Sequence, residues 1–147
     1  MKVLFVCSSD RTRGPLAAAL FAHLAKQAGL EDWECDSAGL HAQRGQMIAP
    51  EVRTVLAERG LEPRRIGVQL LTPKLVKSSD LLLCMTSNLE RDIAKQFPPA
   101  RNKLKPLMSL ADDPIELFDP NHLGVDKFRD CLALMEPALQ NLVRRLQ

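Results

Sequence analysis

Apolar residues fall into two kinds of run along this chain. Val3-Leu4-Phe5-Val6 and Leu81-Leu82-Leu83-Cys84-Met85 are unbroken and β-favouring, the pattern of strands buried on both faces. Trp33-Glu34-Cys35-Asp36 alternates apolar with polar, and Ser37-Ala38-Gly39 is expected to end it. Lys103-Leu104-Lys105-Pro106-Leu107 mixes charge and proline with apolar residues, so these two runs read as edge strands. Between the strands the period becomes helical. Leu16, Leu20, Phe21 and Leu24 predict a helix to about Ala28-Gly29, with Pro15 as its first residue. Val52, Val55 and Leu56 predict a second, closed by Gly60. A short helix fits Pro73 to Ser78, and Ser87 or Asn88 can cap the next, through about Gln96. Phe128, Cys131, Leu132, Met135, Leu139, Leu142, Val143 and Leu146 predict a long amphipathic terminal helix, which Pro137 should kink or interrupt.

Strands that alternate with helices imply a parallel sheet with right-handed crossovers. The two unbroken strands belong in the middle and the two mixed ones at the edges. The expected fold is therefore α/β: a flavodoxin-like three-layer α/β/α domain over residues 1–147, with a four-stranded parallel sheet in order 2-1-3-4. Such sheets bind ligands outside the carboxyl ends of the strands, where the order reverses. Here that point lies between the first and third strands, with Cys7 at its mouth.

Composition narrows the class. The 147 residues are 46% apolar and 26% charged, the balance of one soluble globular domain. The net charge of +2 carries no field that would argue for nucleic acid, and no apolar run is long enough to span a membrane. Only four apolar residues separate Lys2 from Cys7, so no signal peptide is read and a cytoplasmic location is expected. Cys7, Cys35, Cys84 and Cys131 are widely spaced, which suggests neither a zinc site nor a disulfide scaffold. Cys35, Cys84 and Cys131 read as small buried hydrophobes.

Cys7 stands apart from the other three because of its local sequence. Cys7-Ser8-Ser9-Asp10-Arg11-Thr12-Arg13 sets a thiol and a guanidinium six residues apart on the turn from strand to helix, with Gly14-Pro15 next in the chain. A helix start and a nearby Arg both favour a thiolate, the reactive form. The same N–H groups suit the oxygens of a phosphoryl group, and Arg13 could clamp two of them at once. Phosphoryl transfer is carried by positioning and charge stabilisation, which leaves a leaving group to be protonated. Two dipeptides offer an acid, Asp113-Pro114 and Asp119-Pro120, both on the loop after the fourth strand. Each also reads as a plain turn.

At these residues the chain resembles the low-molecular-weight protein tyrosine phosphatases, a family that includes arsenate reductases and arginine phosphatases. The resemblance spans essentially the whole chain. It rests on the opening VLFVC with Arg13 and Pro15, on Asp36-Ser37-Ala38-Gly39, on Cys84-Met85 with Ser87-Asn88-Leu89, and on Phe118-Asp119-Pro120. It implies that Cys7 attacks phosphorus to form a phosphocysteine. It implies that Arg13 and the backbone of Ser8, Ser9, Asp10, Arg11 and Thr12 hold the phosphoryl oxygens. Asp119, rather than Asp113, then protonates the leaving group and later activates water. No metal or organic cofactor is implied. The partner would be a phosphorylated protein or a small phosphomonoester, with no nucleic acid or membrane, and the protein a monomer or weak dimer.

The loop departs from the family pattern C-T-G-N-x-C-R-S-P. Ser9 stands for Gly, and Asp10 for an Asn that both donates and accepts; a carboxylate only accepts, and its charge opposes thiolate and phosphate. Arg11 is the residue expected to offset it. Thr12 replaces a second cysteine, Gly14 a serine hydroxyl, and Thr86 an Asp. No aromatic pair comes after Asp119-Pro120, where Asn121-His122-Leu123 stand, and the chain has no tyrosine. His41 and His122 read as rim or surface residues. Two alternatives stay open: a non-catalytic phosphate or phosphoprotein binder, and a thiol-dependent arsenate reductase, for which Cys84 is the available partner.

Overall fold

A computed structural model describes residues 1–147. Its four strands are β1 (Lys2–Cys7), β2 (Glu34–Gly39), β3 (Leu81–Cys84) and β4 (Leu104–Pro106). All pair in parallel, in the order β2-β1-β3-β4. The helices are α1 (Arg13–Gln27), α2 (Pro50–Glu58), α3 (Pro73–Ser78), α4 (Ser87–Gln96) and α5 (Val125–Leu146). Short 3-10 helices occupy Pro98–Lys103 and Leu107–Leu110. The two strands without polar interruptions do hold the centre. Val3, Leu4, Phe5 and Val6 have no exposed surface, nor do Leu82, Leu83 and Cys84.

α1, α2 and α5 pack together on one side of the sheet, while α3 and α4 lie with the first 3-10 helix on the other. The Phe5 and Phe21 rings tie β1 to α1, with centroids 5.7 Å apart. Burying a side chain of that size contributes about 1.5–3 kcal/mol. No helix is long and apolar enough to cross a membrane.

Element boundaries differ from the sequence pattern in four places. β2 continues through Ser37-Ala38-Gly39, because these residues pair with Phe5-Val6-Cys7. α1 begins at Arg13, two residues before Pro15. A proline is tolerated there because the first turn of a helix has no acceptors for its N–H groups. The α4 cap is Thr86, whose hydroxyl accepts from Leu89 N at 3.2 Å. α5 runs uninterrupted past Pro137. That residue lies on the exposed face, and the carbonyl it leaves without a donor belongs to exposed Ala133, where water can serve.

Candidate active site

Cys7 ends β1, and residues 8–12 turn from it into α1. None of the N–H groups of Ser8 to Thr12 donates to a backbone carbonyl. Those of Asp10 and Gly14 point at the Cys7 sulfur. Asp10 takes a left-handed φ of 59°, which Asp and Asn tolerate better than most residues and which curls the loop into a nest of donors. Gly39 is opposite Cys7 in the sheet register. A methyl group on it would stand 2.7 Å from Asp10 N and from Ser9 C, so the loop closes only because that position is bare.

Arg13 is 5% exposed and lies beside this nest. Its Nη1 donates to the Leu117 carbonyl at 2.8 Å, while its buried Nε has no partner. Leu117 belongs to the loop that carries Asp119. That loop is pinned at two points. Glu116 accepts from the N–H and hydroxyl of Ser87 at the start of α4, and the Asp119 carboxylate accepts from Thr12 Oγ1 at 2.8 Å. Asp119 Oδ2 comes to 4.0 Å from Arg13 Nη2. Asp119 keeps 39% of its side chain exposed, so it faces the opening. Asp113 is exposed farther back on the same loop and makes none of these contacts. The structure thus brings Cys7, Arg13 and Asp119 together, with Thr12 between loop and acid.

Charge at the sulfur is contested. Burial pushes the Cys7 thiol up to about 11, and the Asp10 charge adds to the rise. Arg13 and the N–H groups of Gly14 and Asp10 work the other way. Asp10 is fully buried, and burial raises it above the usual carboxylate range; Ser37, the Gln69 N–H and Arg65 oppose that rise. The counter-ion expected from sequence is corrected here. Arg11 does not pair with Asp10: its Nε donates to Met47 O at 3.1 Å and its Nη1 to Asn121 Oδ1 at 3.1 Å. Asp10 Oδ2 instead accepts from Arg65 Nη2 at 3.0 Å and Gln69 N at 2.9 Å. Oδ2 is thus turned toward the segment between α2 and α3, while Oδ1 stays on the Gly14 side.

Sequence reading missed Arg65 and Gln69. The only signal was chemical: a buried Asp requires a cation, but nothing local says which one. Cys84 pairs in register with Val6, and side chains alternate along a strand, so its thiol shares the face of Val6 and not that of Cys7. Its sulfur is near the Thr86 carbonyl, and burial pushes its thiol up to about 12. This removes the partner that an arsenate shuttle requires. Cys131 on α5 is the cysteine that does feel Cys7, together with Arg13 and Asp119. His41 and His122 are exposed. Beside the nest, Arg11, Gln46, Met47, Ile48, Pro50, Arg53 and Ile66 line an open cavity of about 540 Å³.

A flavodoxin-like sheet with a thiol, a nest of N–H groups and a buried guanidinium at its switch point defines a cysteine-based phosphoryl-transfer protein. The model of the low molecular weight phosphotyrosine protein phosphatases matches residues 2–147, and the chain belongs to that family, whose members use a cysteine nucleophile. A protein-arginine-phosphatase of Geobacillus stearothermophilus is 32% identical over 149 residues, covering 99% of this chain and 96% of that protein. A low molecular weight phosphotyrosine protein phosphatase of Schizosaccharomyces pombe is 29% identical over 152 residues, covering 99% and 97%. Among solved structures, YwlE arginine phosphatase, as a cysteine-to-serine mutant with a phosphorylated active-site serine, superposes with a TM-score of 0.92 at 28% identity. It covers 99% of this chain and 95% of that one.

Proposed function

We propose that this protein hydrolyses phosphomonoesters on phosphorylated proteins, of the phosphotyrosine type, through a phosphocysteine at Cys7. The carrying observation is Arg13: a buried guanidinium with an unpartnered Nε, beside a sulfur that sits under unengaged N–H groups. A phosphoryl oxygen supplies the missing acceptor. The Cys7 thiol first gives its proton to solvent, and the thiolate sulfur then forms a bond to phosphorus as the bond to the leaving oxygen breaks. Asp119 gives that oxygen a proton. Water then attacks phosphorus, Asp119 takes its proton, and thiolate and inorganic phosphate separate. The N–H groups of Ser8, Ser9, Asp10, Arg11 and Thr12 and the Arg13 guanidinium hold the remaining oxygens throughout. The phosphorylated serine in the YwlE mutant supports the covalent step. Four free cysteines suit a reducing compartment, the cytoplasm.

Asp119→Ala tests the acid. We expect kcat to fall by about 10²-fold or more on alkyl phosphates, within the usual range for a general acid. The loss should be smaller on p-nitrophenyl phosphate, whose leaving group hardly needs a proton. Equal losses on both would remove Asp119 from the proton transfer. If pure, folded, reduced wild-type protein turned over neither ester across a pH series, the non-catalytic binder would be the better reading.

The mouth bears on the substrate. Arg11 and Arg53 line the adjoining cavity, and neither has a carboxylate within ion-pair distance. Two guanidinium groups suit an acidic residue beside the phosphorylated one and are poorly matched to a phosphoarginine. Arg53→Glu should lower kcat/KM about tenfold for phosphotyrosine peptides flanked by Asp or Glu, while p-nitrophenyl phosphate turnover stays unchanged. An unchanged peptide preference would place the substrate elsewhere.

A further inference from the structure

The loop holds a carboxylate where the chemistry least favours one. Asp10 is wholly buried three residues from Cys7, and its charge raises the thiol. Its Oδ1 faces the bare Gly14, where an added methyl would lie 3.4 Å from it, 3.2 Å from Ser37 Cβ and 3.2 Å from the Cys7 sulfur. Its other oxygen meets Arg65. That arginine also donates Nε to Asp36 Oδ1 at 3.0 Å, Nη1 to the Gly67 carbonyl, and Nη2 to the carbonyl and hydroxyl of Ser37. Gln69 adds a bond from its side-chain amide to Asp36 Oδ2 at 3.1 Å. One guanidinium thus spans β2, the catalytic loop and the segment after α2.

We propose that Arg65 is a positioning residue of the active site, which holds Asp10 by its Oδ2 and offsets its charge at Cys7. This rests on the phosphatase reading of the loop and deepens it. The charged groups that face Cys7 are Asp10 on its own loop and Arg13 on α1, with Asp119 behind Arg13 and the Cys131 thiol on α5. Arg65 is not among them. It reaches the sulfur only through Asp10, which is joined to it directly, while Asp36 shares the same guanidinium. A neutral carboxamide at position 10 needs no counter-ion, so the effect of Arg65 must depend on the Asp10 charge. That dependence separates a charge-offsetting role from one of simple packing.

The experiment is a thiolate titration of Cys7, which requires no turnover. The 240 nm thiolate absorbance of each variant is tracked against pH and referenced to the same variant carrying Cys7→Ser. The chain has no tyrosine, so no phenolate band overlaps. We expect Asp10→Asn to shift the Cys7 midpoint down by about one unit, and Arg65→Met to shift it up by about one, as expected for a charge within a few ångström. In the double variant Arg65→Met should add little to Asp10→Asn. Unmoved midpoints in both single variants would overturn the proposal. So would a double variant that retains the full Arg65→Met shift, since Arg65 would then act independently of Asp10. Arg65→Met leaves a buried carboxylate unpaired and can fail to fold. Asp10→Asn leaves none unpaired, and Arg65→Lys keeps the charge without the fork. Should Arg65→Met not fold, Arg65→Gln is read instead, since Arg65→Lys keeps the charge and should leave the midpoint near that of wild type; an unmoved midpoint in both Asp10→Asn and Arg65→Gln would overturn the proposal. Loss of p-nitrophenyl phosphate turnover in wild type would count against the phosphatase reading and leave the titration standing.

Discussion

Cys7→Ser is expected to abolish turnover of p-nitrophenyl phosphate, by at least about 10⁴-fold, or roughly 5.5 kcal/mol of barrier. The smaller hydroxyl should fit the buried place that Cys7 takes at the end of β1, with the sheet register and the α1 turn retained. What is lost is a nucleophile that can ionise. A thiol pushed up to about 11 still yields some thiolate at neutral pH, and that fraction grows tenfold for each unit of rising pH. A serine hydroxyl has no comparable anion to offer. Binding should survive, because Arg13 and the loop N–H groups are untouched. The checks are steady-state kinetics and thermal unfolding with and without inorganic phosphate. Retained turnover would dismiss Cys7 as nucleophile. Loss of phosphate protection along with turnover would mean that the nest itself had collapsed.

Gly39→Ala is expected to be the most damaging single methyl group in the protein. The added carbon would lie 2.7 Å from Asp10 N, 2.7 Å from Ser9 C and 2.8 Å from Ser8 O. All three are backbone atoms of the loop after Cys7, so no side chain can rotate to make room. Either β2 parts from β1 beside Cys7 or the nest opens. A displacement near 1 Å at a positioned group costs about 10²-fold in rate, and overpacking costs about 1–3 kcal/mol of stability. We therefore expect kcat/KM on p-nitrophenyl phosphate to fall at least about 10²-fold with a lowered melting temperature. Gly67→Ala is the control, because a methyl there meets nothing within 4 Å. Near-normal activity in Gly39→Ala would show that the loop is softer than its contacts suggest.

Much of the fold was legible because its signals are local. A strand buried on both faces must be apolar throughout, and Val3–Val6 and Leu82–Leu83 announce this in four or five letters. The extension of β2 was hidden: Ser37-Ala38-Gly39 has no strand signature of its own and pairs because β1 lies beside it. The uninterrupted α5 was hidden for a related reason, since whether Pro137 breaks a helix depends on which face it occupies. At the site, spacing alone joined Cys7 to Arg13, six residues apart on one turn. Resemblance chose Asp119 over Asp113, and the Thr12 hydroxyl bond shows how a residue 107 positions away is held at the loop.

The sequence by itself determined the sheet, its strand order and the chemistry within one turn of the chain. Hydrophobic period and loop spacing act over a few residues and need no partner to be read. Only the tertiary structure decided the electrostatics. The buried carboxylate of Asp10 is met by Arg65, which is 55 residues distant, rather than by adjacent Arg11, which turns to Met47 and Asn121. A buried charge takes whichever cation the fold delivers to it in a water-poor space, and chain neighbours have no priority there.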